Sequence, residues 1–119
     1  MTPAEFKSTR EALGLSSQWL ADRWGVALYS VQRWERSRAL PEELAIDVEG
    51  LTSRMRDDVD RAAFGGGDRV IEVPRTDAES PDEMPAAYHR AVALAVARET
   101  GARIVYAGNR GGASLGGAA

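Results

Sequence analysis

At 119 residues the chain has room for one domain, or for two very small ones sharing a core. Hydrophobic residues at 44% and charged residues at 28% exclude disorder throughout, and the lack of cysteine excludes disulfides, thiolate metal sites and a thiol nucleophile. The net charge of -3 is unusual for a nucleic-acid binder, but residues 1–40 carry six basic and four acidic side chains, whereas the remainder carries nine and fourteen.

The absence of cysteine fits a reducing compartment, and the longest apolar run, Ala91 to Ala97, is too short to span a bilayer. The N-terminal residues include Glu5 and no apolar signal core. A cytoplasmic protein without membrane contact is therefore expected. The acidic remainder either keeps nucleic acid to one face or simply solvates the surface. Among the basic residues only Lys7 is a lysine.

Thr2-Pro3-Ala4-Glu5 has the form of a helix start, with Thr2 as N-cap, Pro3 at the first helical position and Glu5 completing a capping box. The first helix should run to about Leu13, its apolar stripe formed by Phe6, Thr9 and Leu13, with Gly14 as its stop. Ser16 or Ser17 caps a second helix that buries Leu20, Ala21 and Trp24 and ends at Gly25. Val31 and Trp34 then face inward from a third helix. Two helices crossing steeply over a short turn need a side chain no larger than Ala at closest approach and a turn residue that tolerates positive φ. Ala21, Gly25 and Val31 supply that order.

The run Gly14-Leu15-Ser16-Ser17-Gln18-Trp19-Leu20-Ala21-Asp22-Arg23-Trp24-Gly25-Val26, continued by Val31-Gln32-Arg33-Trp34-Glu35-Arg36 and Pro41, resembles the lambda-repressor-like, or XRE-type, helix-turn-helix DNA-binding family. The resemblance covers roughly Phe6 to Leu51. It implies a structural ion pair between Arg10 and Glu35, and DNA base contacts from Ser17, Leu28, Tyr29, Gln32 and Arg36. Gln and Arg are residue types that pair with adenine and guanine in the major groove. Arg33 reads a base or holds a phosphate. Ser16, Gln18, Arg23 and Arg38 are expected to contact phosphate. Two positions depart from the family pattern. Ala27 stands where a Ser or Thr normally caps the third helix, so that helix is expected to start late, with Ser30 as its cap. Ser37 replaces the usual Gly that follows it.

From Pro41 to about Arg61 lies the longest helical pattern, with Glu42 and Glu43 at the positive end of its dipole. Leu44, Val48, Leu51, Met55, Val59 and Ala62 form its packing seam. A second protomer or the C-terminal segment must cover the later part of that seam. Gly50 within it permits close helix approach or is an ordinary weak point. Phe64-Gly65-Gly66-Gly67-Asp68 breaks the pattern and marks the expected boundary between a head, 1–64, and a C-terminal segment, 65–107.

Arg69 to Pro74 reads as a short strand, Ser80-Pro81-Asp82-Glu83 as a second capping-box start, Ala86 to Glu99 as a helix stopped at Gly101, and Arg103 to Ala107 as a second strand. This βαβ order predicts parallel strands, and two strands alone do not make a stable sheet, so pairing across a dimer axis is expected. The Gly/Ala-rich tail, 108–119, is expected to be loose. The fold class is thus mainly α: a four-helix helix-turn-helix head with a small βαβ dimerisation segment. That architecture is weakly similar to anti-CRISPR-associated autorepressors.

Catalysis, a metal and a cofactor are not expected. His89 is the sole imidazole and lies mid-helix with no metal spacing; Asp57, Asp58 and Asp60 read as one solvated face. Gly65-Gly66-Gly67 lacks the Lys-Ser or Lys-Thr of a phosphate loop, and no helix follows Gly108-Asn109-Arg110-Gly111. The expected function is that of a homodimeric, sequence-specific transcriptional regulator of double-stranded DNA, an autoregulatory repressor of phage or mobile-element type that binds an inverted repeat. The alternative is an antitoxin-like module whose C-terminal segment binds a protein partner.

Overall fold

The computed structural model describes residues 1–64 and 69–108. They form a mainly helical chain with one small two-stranded parallel sheet. The order is α1 (Pro3–Ala12), α2 (Ser17–Trp24), α3 (Leu28–Arg36), α4 (Glu42–Ala63), β1 (Val70–Val73), a 3-10 turn at Asp77–Glu79, α5 (Ala86–Thr100) and β2 (Arg103–Tyr106). The chain divides into two compact units, Met1–Met55 and Arg56–Ala119. That division falls inside α4, upstream of the glycine run at which the sequence places the boundary.

In the first unit, local chemistry sets the helix ends. The Thr2 hydroxyl accepts from the Glu5 amide at 3.1 Å, and the Glu5 carboxylate accepts from the Thr2 amide at 2.7 Å, closing the capping box. Ser16 caps α2 by accepting from the Trp19 amide at 2.9 Å. Gly25 closes α2 at φ +65°, a conformation a Cβ-bearing residue adopts only with strain. The resulting turn brings α2 and α1 onto α3. Their shared core holds Phe6, Leu20, Ala21 and Val31, all essentially without exposure. The Phe6 and Trp24 rings lie 6.0 Å apart, and Trp24 meets Trp34 edge-on at 6.2 Å. Trp24 and Trp34, both half-buried, thus pack together at the rim of that core.

The late start expected for α3 is not found. The helix begins at Leu28, with Ala27 in the N-cap position and no side-chain cap. Ser30 lies inside the first turn, its amide donating to the Ala27 carbonyl at 3.0 Å. A missing cap costs about 1 kcal/mol. Ser37 ends the helix at φ -145°, where glycine has no advantage.

α4 starts after Pro41, whose carbonyl accepts from the amides of Leu44 and Ala45 at 3.0 and 2.9 Å. Ala45, Val48 and Leu51 are buried. Among the described residues a Cβ added at Gly50 would meet nothing within 4 Å, so no close approach to them explains this glycine. Gly50→Ala should therefore raise the unfolding free energy by roughly 0.5–1 kcal/mol through helix propensity. Urea denaturation measures this directly, and an unchanged or lower midpoint contradicts it.

In the second unit, β1 and β2 pair in parallel with Ile71 opposite Ile104 and Val73 opposite Tyr106. α5 packs on both strands. Tyr88 and Val96 on α5, with Met84 in the loop before it, are the largest fully buried side chains of this unit. The capping-box start expected at Ser80 is not where α5 begins. Residues 80–84 are a loop in which Asp82 accepts from the Met84 amide at 2.9 Å, while the capping box sits at Thr76 and Glu79. Pro85 disfavours helical backbone at Met84, and α5 starts at Ala86, whose amide donates to Asp77 at 2.8 Å. A distant carboxylate thus replaces the local cap. Gly101 ends α5 at φ +80°.

Asp58 also departs from expectation. Its carboxylate accepts from the Tyr88 hydroxyl at 2.6 Å and from Arg61 at 3.0 Å, so it joins α4 to α5 rather than a purely solvated face. Val59 and Ala62 are half-buried, and Ala62 borders the same cleft as Ile71 and Val96, so the chain's own C-terminal segment covers part of this seam. Among the described residues no helix is long and apolar enough to cross a membrane. The glycine run and all of the tail after Gly108 lie outside the described residues.

Candidate functional site

The Arg10–Glu35 pair expected between the first and third helices is present. Glu35 Oε1 accepts from Arg10 Nε at 3.1 Å and from Nη2 at 2.6 Å, while Arg10 Nη1 donates to the Leu15 carbonyl at 2.8 Å. The two side chains are only 13% and 9% exposed. The second Glu35 oxygen accepts the Ser17 hydroxyl at 2.6 Å. Three helices are therefore held by one carboxylate, and the charge of Glu35 is locally compensated.

This cluster forms the floor of a polar recess of about 310 Å³ lined by Lys7, Ser17, Gln32, Glu35 and Arg36. Lys7, Gln32 and Arg36 are exposed. None of the three side chains makes a hydrogen bond or ion pair among the described residues. The structure therefore groups Ser17, Gln32 and Arg36 on one face, but it commits the Ser17 proton to Glu35 and leaves that hydroxyl only its lone pairs for an outside group. Tyr29 is 61% exposed, with the Arg33 guanidinium 5.6 Å from its ring centre. Leu28 and Arg33 are half-buried. Arg33 is thus stacked on its own helix.

The residues expected at phosphate differ in how available they are. The Arg38 side chain is exposed and makes no hydrogen bond or ion pair among the described residues. Ser16 is occupied as a cap, and Gln18 donates to Asp22 at 2.8 Å. Arg23 is held in a fork by Asp47, with Nε at 2.8 Å and Nη2 at 3.0 Å, and it lies 5.5 Å from the Trp19 ring centre. The Trp24 indole N–H donates to the same Asp47 at 2.7 Å. Asp47 is the residue that sequence reasoning misses. It precedes the buried Val48 on α4, and only the fold brings it to Arg23.

The Arg23 hydrogen bonds hold the Asp47 carboxyl below its usual range, opposed by partial burial and helped by the Trp24 N–H. A depressed folded-state pKa stabilises fully above the unfolded value of about 4 and loses that stabilisation as pH falls through the folded value. Asp47→Asn should accordingly flatten the acid limb of stability below about pH 4. Thermal midpoints taken across that range check this; parallel acid limbs for the two proteins contradict it.

In the second unit His89 Nε2 lies 2.8 Å from Asp82 and meets Tyr88 edge-on, so the imidazole ties α5 to the preceding loop. It borders a cleft of about 320 Å³ whose floor includes Val92, Ala93 and Val96. Among the described residues no group of three or more His, Asp or Glu is placed to hold a metal ion. Comparison with protein-family models and with curated proteins returns no match.

Proposed function

We propose that the chain is a homodimeric, sequence-specific DNA-binding regulator whose first unit is a helix-turn-helix head of XRE type and whose α3 enters the major groove. The observation that carries this reading is the pairing pattern around α3. Arg10 and Glu35 are spent on each other, whereas Gln32 and Arg36 stand exposed on the adjacent helix face without an intramolecular partner among the described residues. Gln and Arg left in that state can form bidentate bonds to adenine and guanine edges. The left-handed turn at Gly25 and the buried Ala21 support the same reading by allowing α2 and α3 to cross closely.

The dimer is assigned to the second unit. Among the described residues the outer edge of β2 has no neighbouring strand. Ile71 and Val73 border the cleft formed with α5, and the parallel register puts Ile104 and Tyr106 on that same sheet face. Beside them runs an apolar groove of about 360 Å³ lined by Leu94, Ile104 and Tyr106. Antiparallel pairing of β2 with β2 of a second copy joins four strands and sets both α5 helices on one side of the sheet. Two heads related by that axis would read an inverted repeat with half-sites about 34 Å apart, or a multiple of that distance. An autoregulatory repressor of phage or mobile-element type is the role in which we place it.

The test is footprinting on the region upstream of its own coding sequence, with solution mass measured in the same buffer. Two protected half-sites and twice the chain mass are expected; a lack of sequence-dependent protection at moderate salt refutes the reading. The exposed groove also suits a second reading, capture of a protein partner in the manner of an antitoxin. A monomeric mass combined with co-purification of one partner from the native host favours that alternative.

A further inference from the structure

Building on the DNA-binding reading, we infer that Lys7 is a phosphate-positioning residue, so that α1 takes part in docking together with α2 and α3. Lys7 is exposed on α1, yet it lines the same recess as Gln32 and Arg36 on α3 and Ser17 at the start of α2. Among the described residues the only carboxylate lining that recess, Glu35, is answered by Arg10 and by the Ser17 hydroxyl. Lys7 and Arg36 are left as two uncompensated cations on a polar, solvent-facing rim. That charge balance selects an anionic group, and beside a helix face that offers Gln and Arg to base edges the anion is a phosphodiester of the duplex backbone. The two cations differ in kind. The Arg36 fork suits planar, bidentate recognition of a base edge, whereas the Lys7 ammonium is a compact, strongly hydrated charge suited to a phosphate and without base preference.

One chemical consequence follows from composition. Lys7 is the only lysine in the chain, so an amine reagent can reach its side chain and the α-amine and nothing else of that class. Acetylation of Lys7 removes the charge while leaving the alkyl stem in place.

The experiment measures affinity against salt concentration for the wild-type protein, Lys7→Gln and Lys7→Arg, on a duplex carrying the upstream region and on a random-sequence duplex. Lys7→Gln should weaken both complexes by the same factor, roughly 3- to 10-fold near 0.1 M salt, and lower the salt slope by about one. Lys7→Arg should retain the wild-type slope. Acetic anhydride should lower the salt slope of the wild type by about one more than that of Lys7→Arg, in which only the α-amine reacts. An unchanged slope in Lys7→Gln overturns the inference while leaving the DNA-binding reading intact, as does a loss confined to the upstream duplex, which would make Lys7 a base reader. If the wild-type protein binds neither duplex, the inference falls together with the reading on which it rests.

Discussion

Replacing Gln32 and Arg36 together by Ala is expected to lower affinity for the operator by roughly 30-fold to 10⁴-fold, at about 1–3 kcal/mol for each lost bidentate contact. Both side chains are exposed and make no hydrogen bond or ion pair among the described residues, so truncation breaks nothing within the fold. The unfolding midpoint and the solution mass should stay at wild-type values. Affinity for random-sequence DNA should fall far less than affinity for the operator, because backbone charge supplies most of that binding. Titration of both duplexes by fluorescence anisotropy distinguishes the cases. Equal affinity of the double variant and the wild type for the operator would falsify the assignment of α3 as the reading helix.

Arg10→Ala should have the largest effect on stability, about 3 kcal/mol, at the lower end of the range found when one partner of a buried pair is removed. Glu35 would keep only the Ser17 hydroxyl as a hydrogen-bond donor, and its nearly buried charge would have lost the cation paired to it. The Leu15 carbonyl would lose its guanidinium donor as well. Glu35→Gln should be milder, since an amide can still accept from Arg10 and the charge then left unpaired is a guanidinium that keeps its bond to the Leu15 carbonyl. A double-mutant cycle of Arg10 and Glu35 should give a coupling energy of about 1–3 kcal/mol, as residues in direct contact do. Additive losses would show that the pair orients α1 and α3 without adding stability.

Much of the fold was legible because its determinants are local. Thr2 with Glu5, Ser16 before Trp19, Gly25 and Gly101 act within a few residues of themselves, and each closes its helix at or within one residue of the expected position. The parallel strands followed from the strand, helix, strand order. What sequence could not supply were contacts made across the fold. Asp77 caps α5 from nine residues away, Asp58 receives Tyr88 from thirty, and Asp47 clamps Arg23 from twenty-four. A carboxylate on a helix reads as solvated until its distant donor is known. The candidate site divides in the same way. The Arg10–Glu35 pair and the exposed Gln32 and Arg36 were expected, whereas the diversion of Ser17, Gln18 and Arg23 to internal partners and the presence of Lys7 beside α3 depend on side-chain placement.

The parallel register of β1 and β2 also bears on the order of assembly. Val70 must wait for Arg103, so that sheet closes only after the intervening loop and α5 have been made. The helices of the first unit close through shorter sequence separations, and local contacts form faster than distant pairings. During synthesis the N-terminal unit is complete while β1 still has no mate, and for that interval an apolar Val-Ile pair stands unpaired. Glu72 between Ile71 and Val73, with Pro74 directly after them, places a charge and a ladder-breaking residue where a newly made strand is most exposed to joining the wrong neighbour.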